Sequence, residues 1–173
     1  PARGGSKRFP RKNIAPFRGL PLLVWSIVQA ERSKYLDTVV CSTDDDEIEL
    51  MALIHGCKAV KRPANLATDE ATNEDVIRHT LCLYPADYIV LLQPTSPLRL
   101  TQDIDCAINM FHVEHRPVVS YRPDGTKNGA VYVASAQWLE NHTFADDHIR
   151  YWMPIERSLD IDYPEDVSLS GHC

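Results

Sequence analysis

The chain has 173 residues, which is enough for one globular domain with its own core, over 1–173, and short for two. Its hydrophobic content of 44% and charged content of 24% are those of a soluble folded protein, and its net charge of -6 argues against a nucleic-acid binder. No apolar run approaches the roughly 20 residues that cross a bilayer, and no signal peptide is visible, so we expect a cytoplasmic protein without a membrane partner.

Helical and strand patterns alternate along the chain. Apolar residues recur at helical spacing over 20–32, 46–56, 70–84, 101–115 and from Tyr163 onward. Short apolar runs predict strands over 37–42, 57–60, 88–92, 117–121, 130–134 and 149–155. Strands separated by single helices predict an α/β fold with a mostly parallel sheet covered on both faces. Ligands of such sheets bind at the carboxyl ends of the strands, so motifs that directly follow strands supply the candidate site residues.

Positive charge is concentrated at the beginning of the sequence. Six of the 18 basic residues lie within the first 18 positions, and Gly4 and Gly5 lie among them. Glycines let the backbone approach a phosphate closely, and successive N–H groups can then surround the anion. Arg3 and Lys7 carry charge that would neutralise a triphosphate. The Walker pattern is absent, and a solvated basic tail is the alternative interpretation.

Two polar segments follow predicted strands. Residues 42–46 are Ser, Thr and three Asp, which would line a nucleotide pocket or cap the next helix, and capping is sufficient for Asp45 and Asp46. Residues 93–99 leave the most apolar strand of the chain. Two prolines make a rigid turn there, and the polar side chains between them are expected to face the crevice.

Asp160 and Asp162 are the candidate metal ligands. In an extended segment they project from the same face, because side chains alternate with a period of two. Two carboxylates, together with phosphate oxygens and water, form the set of ligands that Mg²⁺ accepts in nucleotide enzymes. A solvated turn is the alternative for this pair taken alone.

Together these segments resemble the CMP-sialic acid synthetases, or N-acylneuraminate cytidylyltransferases. The matching pieces are PARGGSKRFPRKN at 1–13, WSI at 25–27, VVCSTDDDEI at 39–48, RPANLATDEATNEDV at 62–76, YIVLLQPTSPLR at 88–99, NGAVYVAS at 128–135 and SLDIDYPEDV at 158–167. They occur in the order of the family and cover most of the chain, so the combination is specific although each piece is not.

The resemblance implies a three-layer α/β/α nucleotidyltransferase fold, Rossmann-like, in a protein that is usually a homodimer. It also implies transfer of CMP from CTP to the anomeric hydroxyl of N-acylneuraminate, an acidic nine-carbon sugar, with release of pyrophosphate and use of Mg²⁺. The implied triphosphate loop is Arg3, Gly4, Gly5, Ser6 and Lys7, with Lys12 and Asn13 near the nucleotide. The other implied positions are Arg62 and Asn73 near the cytidine, Gln93, Thr95 and Ser96 in the sugar pocket, and Asp160 and Asp162 on the metal. Serine or threonine is frequent in the family where this chain has Asn73.

Two departures from the family are visible. Its members carry an apolar strand before the glycine loop, and a substantial insertion between the strands predicted at 117–121 and 130–134 that serves dimer contacts and closure over the sugar. In this sequence only a short joint remains near 122–127, and no strand is seen before the loop.

The mechanism that we expect is an in-line displacement. The anomeric hydroxyl attacks the α-phosphorus of CTP, Mg²⁺ on Asp160 and Asp162 holds the phosphates, and Arg3 and Lys7 stabilise the departing pyrophosphate. The sequence identifies no general base. One alternative is the same reaction on legionaminate, pseudaminate or another acidic keto-sugar, such as Kdo. Another is a non-catalytic homologue that binds nucleotide, against which the retained aspartates and basic loop weigh.

Overall fold

A computed structural model of the chain describes the backbone of residues 1–169 and the side chains of residues 1–167, so the last four residues of the predicted domain lie outside the described part. The helices are α1 (Leu22–Glu31), α2 (Asp46–Ile54), α3 (Asn73–Leu83), α4 (Thr101–Glu114), α5 (Ala136–Leu139) and α6 (Pro164–Leu169). Short 3-10 turns are found at Lys12–Ile14, Ala64–Leu66 and Ile155–Arg157. None of the helices in the described residues is long and apolar enough to cross a membrane.

The strands are β1 (Pro16–Phe17), β2 (Leu20–Pro21), β3 (Val40–Thr43), β4 (Lys58–Lys61), β5 (Tyr88–Leu91), β6 (Val118–Tyr121), β7 (Lys127–Ser135) and β8 (Ile149–Trp152). The largest sheet has the order β5-β7-β6-β8, in which β7 is antiparallel to both neighbours and β6 is parallel to β8. Strands β3 and β4 form a separate parallel pair, and β1 and β2 form a small antiparallel pair.

Helices cover both faces of the largest sheet, because its side chains alternate between two apolar clusters. One cluster joins α3 and α5 to the sheet through Ile77, Leu139, Leu91, Val119 and Tyr132. The opposite cluster joins α4 to the sheet through Ile104, Ala107, Ile108, Val118, Val131 and Val133. The predicted three-layer α/β/α arrangement is therefore confirmed.

The reversal of β7 has a local cause. Residues 122–126 make a tight turn, in which Arg122 N–H donates to the carbonyl of Thr126 (2.8 Å) and Gly125 N–H donates to the carbonyl of Arg122 (3.0 Å). A turn this short can join only antiparallel strands, whereas parallel strands need a crossover of a dozen or more residues. Strands β5, β6 and β8 thus run in one direction, and only β7 runs in the other. The short joint seen in the sequence is a hairpin turn.

Side chains accept hydrogen bonds from backbone N–H groups at the starts of α2, α3 and α4. Asp45 caps α2 by accepting from the N–H groups of Glu47 and Ile48, as predicted. The expectation that residues 70–72 open the third helix is wrong, because Thr72 caps α3 in a capping box and the helix begins after it. The N-cap residue of α4 is Leu100, and Asp103, the third residue of the helix, accepts from the Leu100 N–H at 3.0 Å.

Asp103 also links α4 to the end of the chain. It is fully buried, and its carboxylate accepts from the Tyr151 hydroxyl (2.9 Å) and from the Arg157 guanidinium (2.9 and 3.0 Å). We expect Asp103→Ala to lower the free energy of unfolding by about 3 kcal/mol, since both donors would lose their buried acceptor. Urea denaturation measures this change. Glu114→Ala at the exposed end of the same helix should cost less than about 0.5 kcal/mol, and an equal effect of the two variants would contradict the assignment.

Candidate functional site

The candidate site begins where the basic loop, residues 3–12, crosses the carboxyl end of β3. Ala2 N–H donates to the carbonyl of Ser42 (2.9 Å), and Gly4 N–H donates to the carboxylate of Asp44 (3.0 Å). A Cβ on Gly4 would lie 2.6 Å from a carboxylate oxygen of Asp45, so only glycine lets the loop pass this close to the start of α2. The polar residues after β3 therefore hold the loop as well as capping the helix.

Carboxylates from later segments pair with the side chains of the basic loop. Arg11 pairs with Asp45 and Glu47. Lys12 pairs with Asp162 at 2.9 Å, and Arg8 lies 3.6 Å from the same carboxylate. Each pair joins a distant part of the chain to the loop. The carboxylates also offset the repulsion between the like charges of so short a segment.

Asp69 holds the two cations that the sequence assigns to a triphosphate. Its carboxylate lies 2.6 Å from Arg3 and 2.5 Å from Lys7. Hydrogen bonds from Lys7 and then Arg3 hold the pKa of the Asp69 carboxyl below its usual value. A cavity of about 460 Å³ lies here, between the loop and residues 67–70. In this structure an acidic side chain thus occupies the cationic pair.

Asn13 supports the loop from behind, and Arg62 joins the end of β3 to the segment that follows β4. The buried side-chain amide of Asn13 donates to the carbonyl of Arg3 (2.9 Å). Arg62 is also buried and donates to the carbonyls of Ser42 (2.7 Å) and Leu66 (3.4 Å). Burial lowers the pKa of its guanidinium. Both side chains fasten backbone segments together, which the sequence did not indicate.

Asp160 and Asp162 lie beside the turn that follows β5. Ile161 N–H donates to the carbonyl of Thr95 at 2.8 Å, which holds the residue between the two aspartates against this turn. Burial raises the pKa of the Asp160 carboxyl, with a further contribution from the nearby negative charge of Asp162. The two carboxylates are therefore close enough to interact, and Lys12 offsets part of their charge.

The donor chemistry of this pair fits a hard divalent cation. Carboxylate oxygens are ligands of the kind that Mg²⁺ takes, usually one or two per site together with waters and substrate phosphates. Within residues 1–167, no group of three or more His, Cys, Asp or Glu side chains is arranged to hold a metal ion. An ion at Asp160 and Asp162 would therefore need oxygen ligands from a bound phosphate or from water.

Asn128, at the start of β7, connects the turn 93–99 to the segment that carries the aspartates. Its carbonyl accepts from the Ser96 hydroxyl (2.9 Å). Its side chain donates to the Ser158 hydroxyl (3.1 Å) and accepts from the Ser120 hydroxyl (2.6 Å). All four residues are at most 1% exposed, so this polar network is rigid as well as satisfied.

The structure brings most of the predicted site residues to one end of the sheets. Arg3, Gly5, Ser6 and Lys7 line one cavity, Lys12 reaches Asp162, and the Thr95 carbonyl accepts from Ile161 N–H between the two aspartates. Asn73 is the first residue of α3, and no hydrogen bond among the described residues joins it to the basic loop. Sequence reasoning missed Asp69 and Asn128. Both lie inside segments that matched the family, but only their partners across the fold reveal what they do.

Comparison with known proteins shows that the chain is similar to cytidylyltransferases. A family model described as Cytidylyltransferase matches residues 1–142. The N-acylneuraminate cytidylyltransferase of Escherichia coli O18:K1:H7 is 31% identical over 98% of this chain and 50% of its own length. The pseudaminic acid cytidylyltransferase of Campylobacter jejuni is 44% identical over 60% of this chain and 47% of its own length. The CMP-N,N'-diacetyllegionaminic acid synthase of Legionella pneumophila is 31% identical over 98% of this chain and 92% of its own length.

This chain spans about half the length of the first two relatives. The alignments to the Escherichia coli and Legionella proteins run over 209 and 216 positions against 173 residues here, so those relatives carry residues within the aligned region that this chain lacks. Among solved structures, CMP:2-keto-3-deoxy-manno-octonic acid synthetase complexed with CTP is similar in fold, with a TM-score of 0.80 and 15% identity over 97% of this chain and 93% of that one. Rv0371C of Mycobacterium tuberculosis in complex with manganese has a TM-score of 0.68 and 15% identity over 95% and 93%.

The pairing of Asp69 predicts how the loop responds to an anion. Asp69→Asn removes the competing negative charge at nearly constant volume, so we expect inorganic tripolyphosphate to bind about two- to fivefold more tightly, the size expected for exposed ion pairs. Calorimetric titration at low salt measures the affinity. Glu70→Gln, which neutralises the next exposed carboxylate in the same segment, serves as the matched control. Equal or weaker binding by Asp69→Asn than by the control would contradict the prediction.

Proposed function

This chain belongs to the cytidylyltransferase family, and we propose that it transfers CMP from CTP to the anomeric hydroxyl of N-acylneuraminate, releasing pyrophosphate. The observation that carries the proposal is the contact between Lys12 and Asp162 at 2.9 Å. Through it, a glycine-containing basic loop lies beside a pair of carboxylates. Such a juxtaposition suits a triphosphate whose charge is balanced by cationic side chains at one end and by a metal ion at the other.

The basic loop is the part that would bind the triphosphate. Arg3 and Lys7 supply two positive charges next to the cavity, and the backbone of Gly5 and Ser6 borders the same space. When phosphate oxygens replace the Asp69 carboxylate, both cations keep an anionic partner. Asn13 then acts indirectly, because its hydrogen bond to the Arg3 carbonyl maintains the path of the loop.

Arg62 and Asn73 are proposed to border the cytidine. Arg62 ties the end of β3 to the 3-10 turn at Ala64–Leu66, so its contribution is to shape the wall of the pocket. Asn73 opens α3 directly after the cap at Thr72, which supports a place for it at the rim of that pocket.

Asp160 and Asp162 would hold Mg²⁺. When bound, the ion supplies positive charge that offsets the charge developing on the phosphates during transfer. Manganese in the structurally similar Rv0371C supports use of a divalent cation. The Thr95 carbonyl holds Ile161 between the two aspartates, and Lys12 holds Asp162 until substrate arrives.

The transfer itself is an in-line displacement at the α-phosphorus. The anomeric hydroxyl gives up its proton to solvent and its oxygen forms a bond to the α-phosphorus, while the bond from that phosphorus to the bridging oxygen breaks and pyrophosphate leaves with the electron pair. Arg3 and Lys7 hold the departing pyrophosphate. Gln93, Thr95 and Ser96 would position the sugar, and much of the rate enhancement comes from holding the two reactants in line.

N-acylneuraminate is the substrate that we propose among several acidic sugars. The three relatives with named substrates act on N-acylneuraminate, pseudaminic acid and a legionaminic acid, so legionaminate and pseudaminate are the alternatives. A homodimer in the cytoplasm is also proposed from the family resemblance. With only the turn 122–126 between β6 and β7, a dimer of this chain would have to use other surfaces.

Pyrophosphate release tests the proposal directly. The chain is incubated with CTP and Mg²⁺ and, in parallel, with N-acetylneuraminate, legionaminate, pseudaminate and Kdo. Release with N-acetylneuraminate supports the proposal in full, and release with another sugar alone replaces the substrate. Binding of CTP without release on any of the four would overturn the proposal in favour of a nucleotide-binding homologue.

The two aspartates should be essential for turnover. We expect Asp160→Asn and Asp162→Asn each to lower kcat by about a thousandfold or more, because charge stabilisation at the phosphates is lost while the fold is kept. Pyrophosphate release and thermal melting are measured together. Glu156→Gln, an exposed carboxylate a few residues upstream, should leave both unchanged. Activity of either aspartate variant within tenfold of the parent would refute the metal assignment.

A further inference from the structure

Gly129 is a buried residue of β7 with a backbone φ of +70°, a conformation that side chains other than glycine rarely adopt. It lies directly behind the turn that follows β5. A Cβ built on Gly129 would come within 3.0 Å of the side-chain amide oxygen of Gln93 and 3.3 Å from its amide carbon. Real Cβ atoms do not approach an oxygen that closely, so the two groups cannot occupy this space together.

The backbones on both sides of this contact are held in place. Arg99, which is 1% exposed, donates to the carbonyl of Ala130 (2.7 Å) and to the carbonyl of Gln93 (3.3 Å). The Ser96 hydroxyl donates to the carbonyl of Asn128 (2.9 Å). A single buried guanidinium and a buried hydroxyl thus bridge the turn to the residues on either side of Gly129. Because neither backbone can move away without breaking these bonds, a clash at position 129 must be relieved by the Gln93 side chain.

A positive φ alone is a sufficient reason for glycine at a position, and Gly125 is an example of a glycine that only its φ requires. Gly125, in the turn between β6 and β7, has a φ of +90°, and nothing lies within 4 Å of the position where its Cβ would be. Gly129 differs because the missing side chain also leaves room that Gln93 fills. The absence of a Cβ at 129 is therefore a feature of the site as well as of the backbone.

We propose that Gly129 is a positioning residue for Gln93. With only hydrogen at position 129, the Gln93 amide lies back against β7, and this sets the depth of the sugar pocket that the proposed function places in front of it. A methyl group at 129 would push the amide forward into that pocket. The inference rests on the proposed function in one respect, namely that the acidic sugar binds on the Gln93 side of the site.

The first test needs no substrate. The side-chain NH₂ signals of Gln93 are assigned by their loss in Gln93→Ala and are then compared in Gly129→Ala and Gly125→Ala. We expect Gly129→Ala to shift these signals and Gly125→Ala, which imposes comparable backbone strain in open space, to leave them in place. Unchanged Gln93 signals in a folded Gly129→Ala protein would overturn the proposal.

The second test uses kinetics and separates this inference from the proposed function. Gly129→Ala should raise the KM for the sugar about tenfold and leave the Kd for CTP unchanged, while Gly125→Ala changes neither. Because Gly129 acts through Gln93, the double variant Gly129→Ala/Gln93→Ala should be no worse than Gln93→Ala alone. If the two effects add fully, or if CTP binding falls with sugar binding, the proposal is wrong. Absence of turnover by the parent chain with every sugar would instead count against the proposed function.

A third variant covers the case in which Gly129→Ala folds poorly. Gln93→Asn shortens the side chain by one methylene and withdraws the amide from the Cβ of residue 129. We expect Gly129→Ala/Gln93→Asn to melt at a higher temperature than Gly129→Ala alone, whereas Gly125→Ala gains nothing from the same change. A melting temperature that Gln93→Asn does not raise would mean that backbone strain alone makes glycine necessary, which overturns the proposal.

Discussion

Opposite charge holds the basic loop in place, and the rest of the site depends on that pairing. Asp45 follows β3, Asp69 follows β4, and Asp162 comes from the far end of the chain, yet all three carboxylates reach cations within residues 3–12. The two Asp69 pairs are exposed to solvent, and an exposed ion pair contributes about 1 kcal/mol or less to stability, so these two contacts can be exchanged at small cost. A triphosphate brings several negative charges at once and can displace weak partners. These pairs therefore keep the cations of the basic loop close together and still accessible to the triphosphate that we propose.

The opposite wall of the site is rigid because its polar groups are buried and, apart from the Arg99 Nε, hydrogen-bonded within the protein. Asn128 and Arg99 join the turn after β5 to β7, and Asn128 also reaches the segment that ends in the two aspartates. Removing one partner from such a network leaves another polar group buried without a hydrogen bond, which costs far more than losing an exposed ion pair. In the function that we propose, the molecule thus combines an exchangeable wall for the phosphates with a fixed wall for the sugar.

Local patterns in the sequence are sufficient for five of the six helices of the described residues, with α5 missed, for most strands and for the identity of the charged motifs. They are insufficient where an outcome depends on contacts between distant residues. Asp69 meets Arg3, and Asn128 meets its partners, only when the strands are assembled. The local sequence therefore does not predict these contacts. The direction of β7 depends on whether residues 122–126 form a turn or a crossover. At α4, Thr101 resembles a cap in sequence, but its hydroxyl donates to Gln29, and the N-cap residue is Leu100, whose N–H donates to Asp103.

We propose that the phosphates of CTP replace Asp69 as the partner of Arg3 and Lys7, and the pKa of Asp69 tests this exchange most directly. Lys7 and Arg3 hold this pKa below its usual value in the ligand-free chain. Titration of the Asp69 carboxyl carbon by NMR, with and without CTP and Mg²⁺, measures the change. The account predicts that CTP raises the pKa of Asp69 to its usual value or above, because its two donors move to phosphate. A pKa that stays low in the presence of saturating CTP would contradict it.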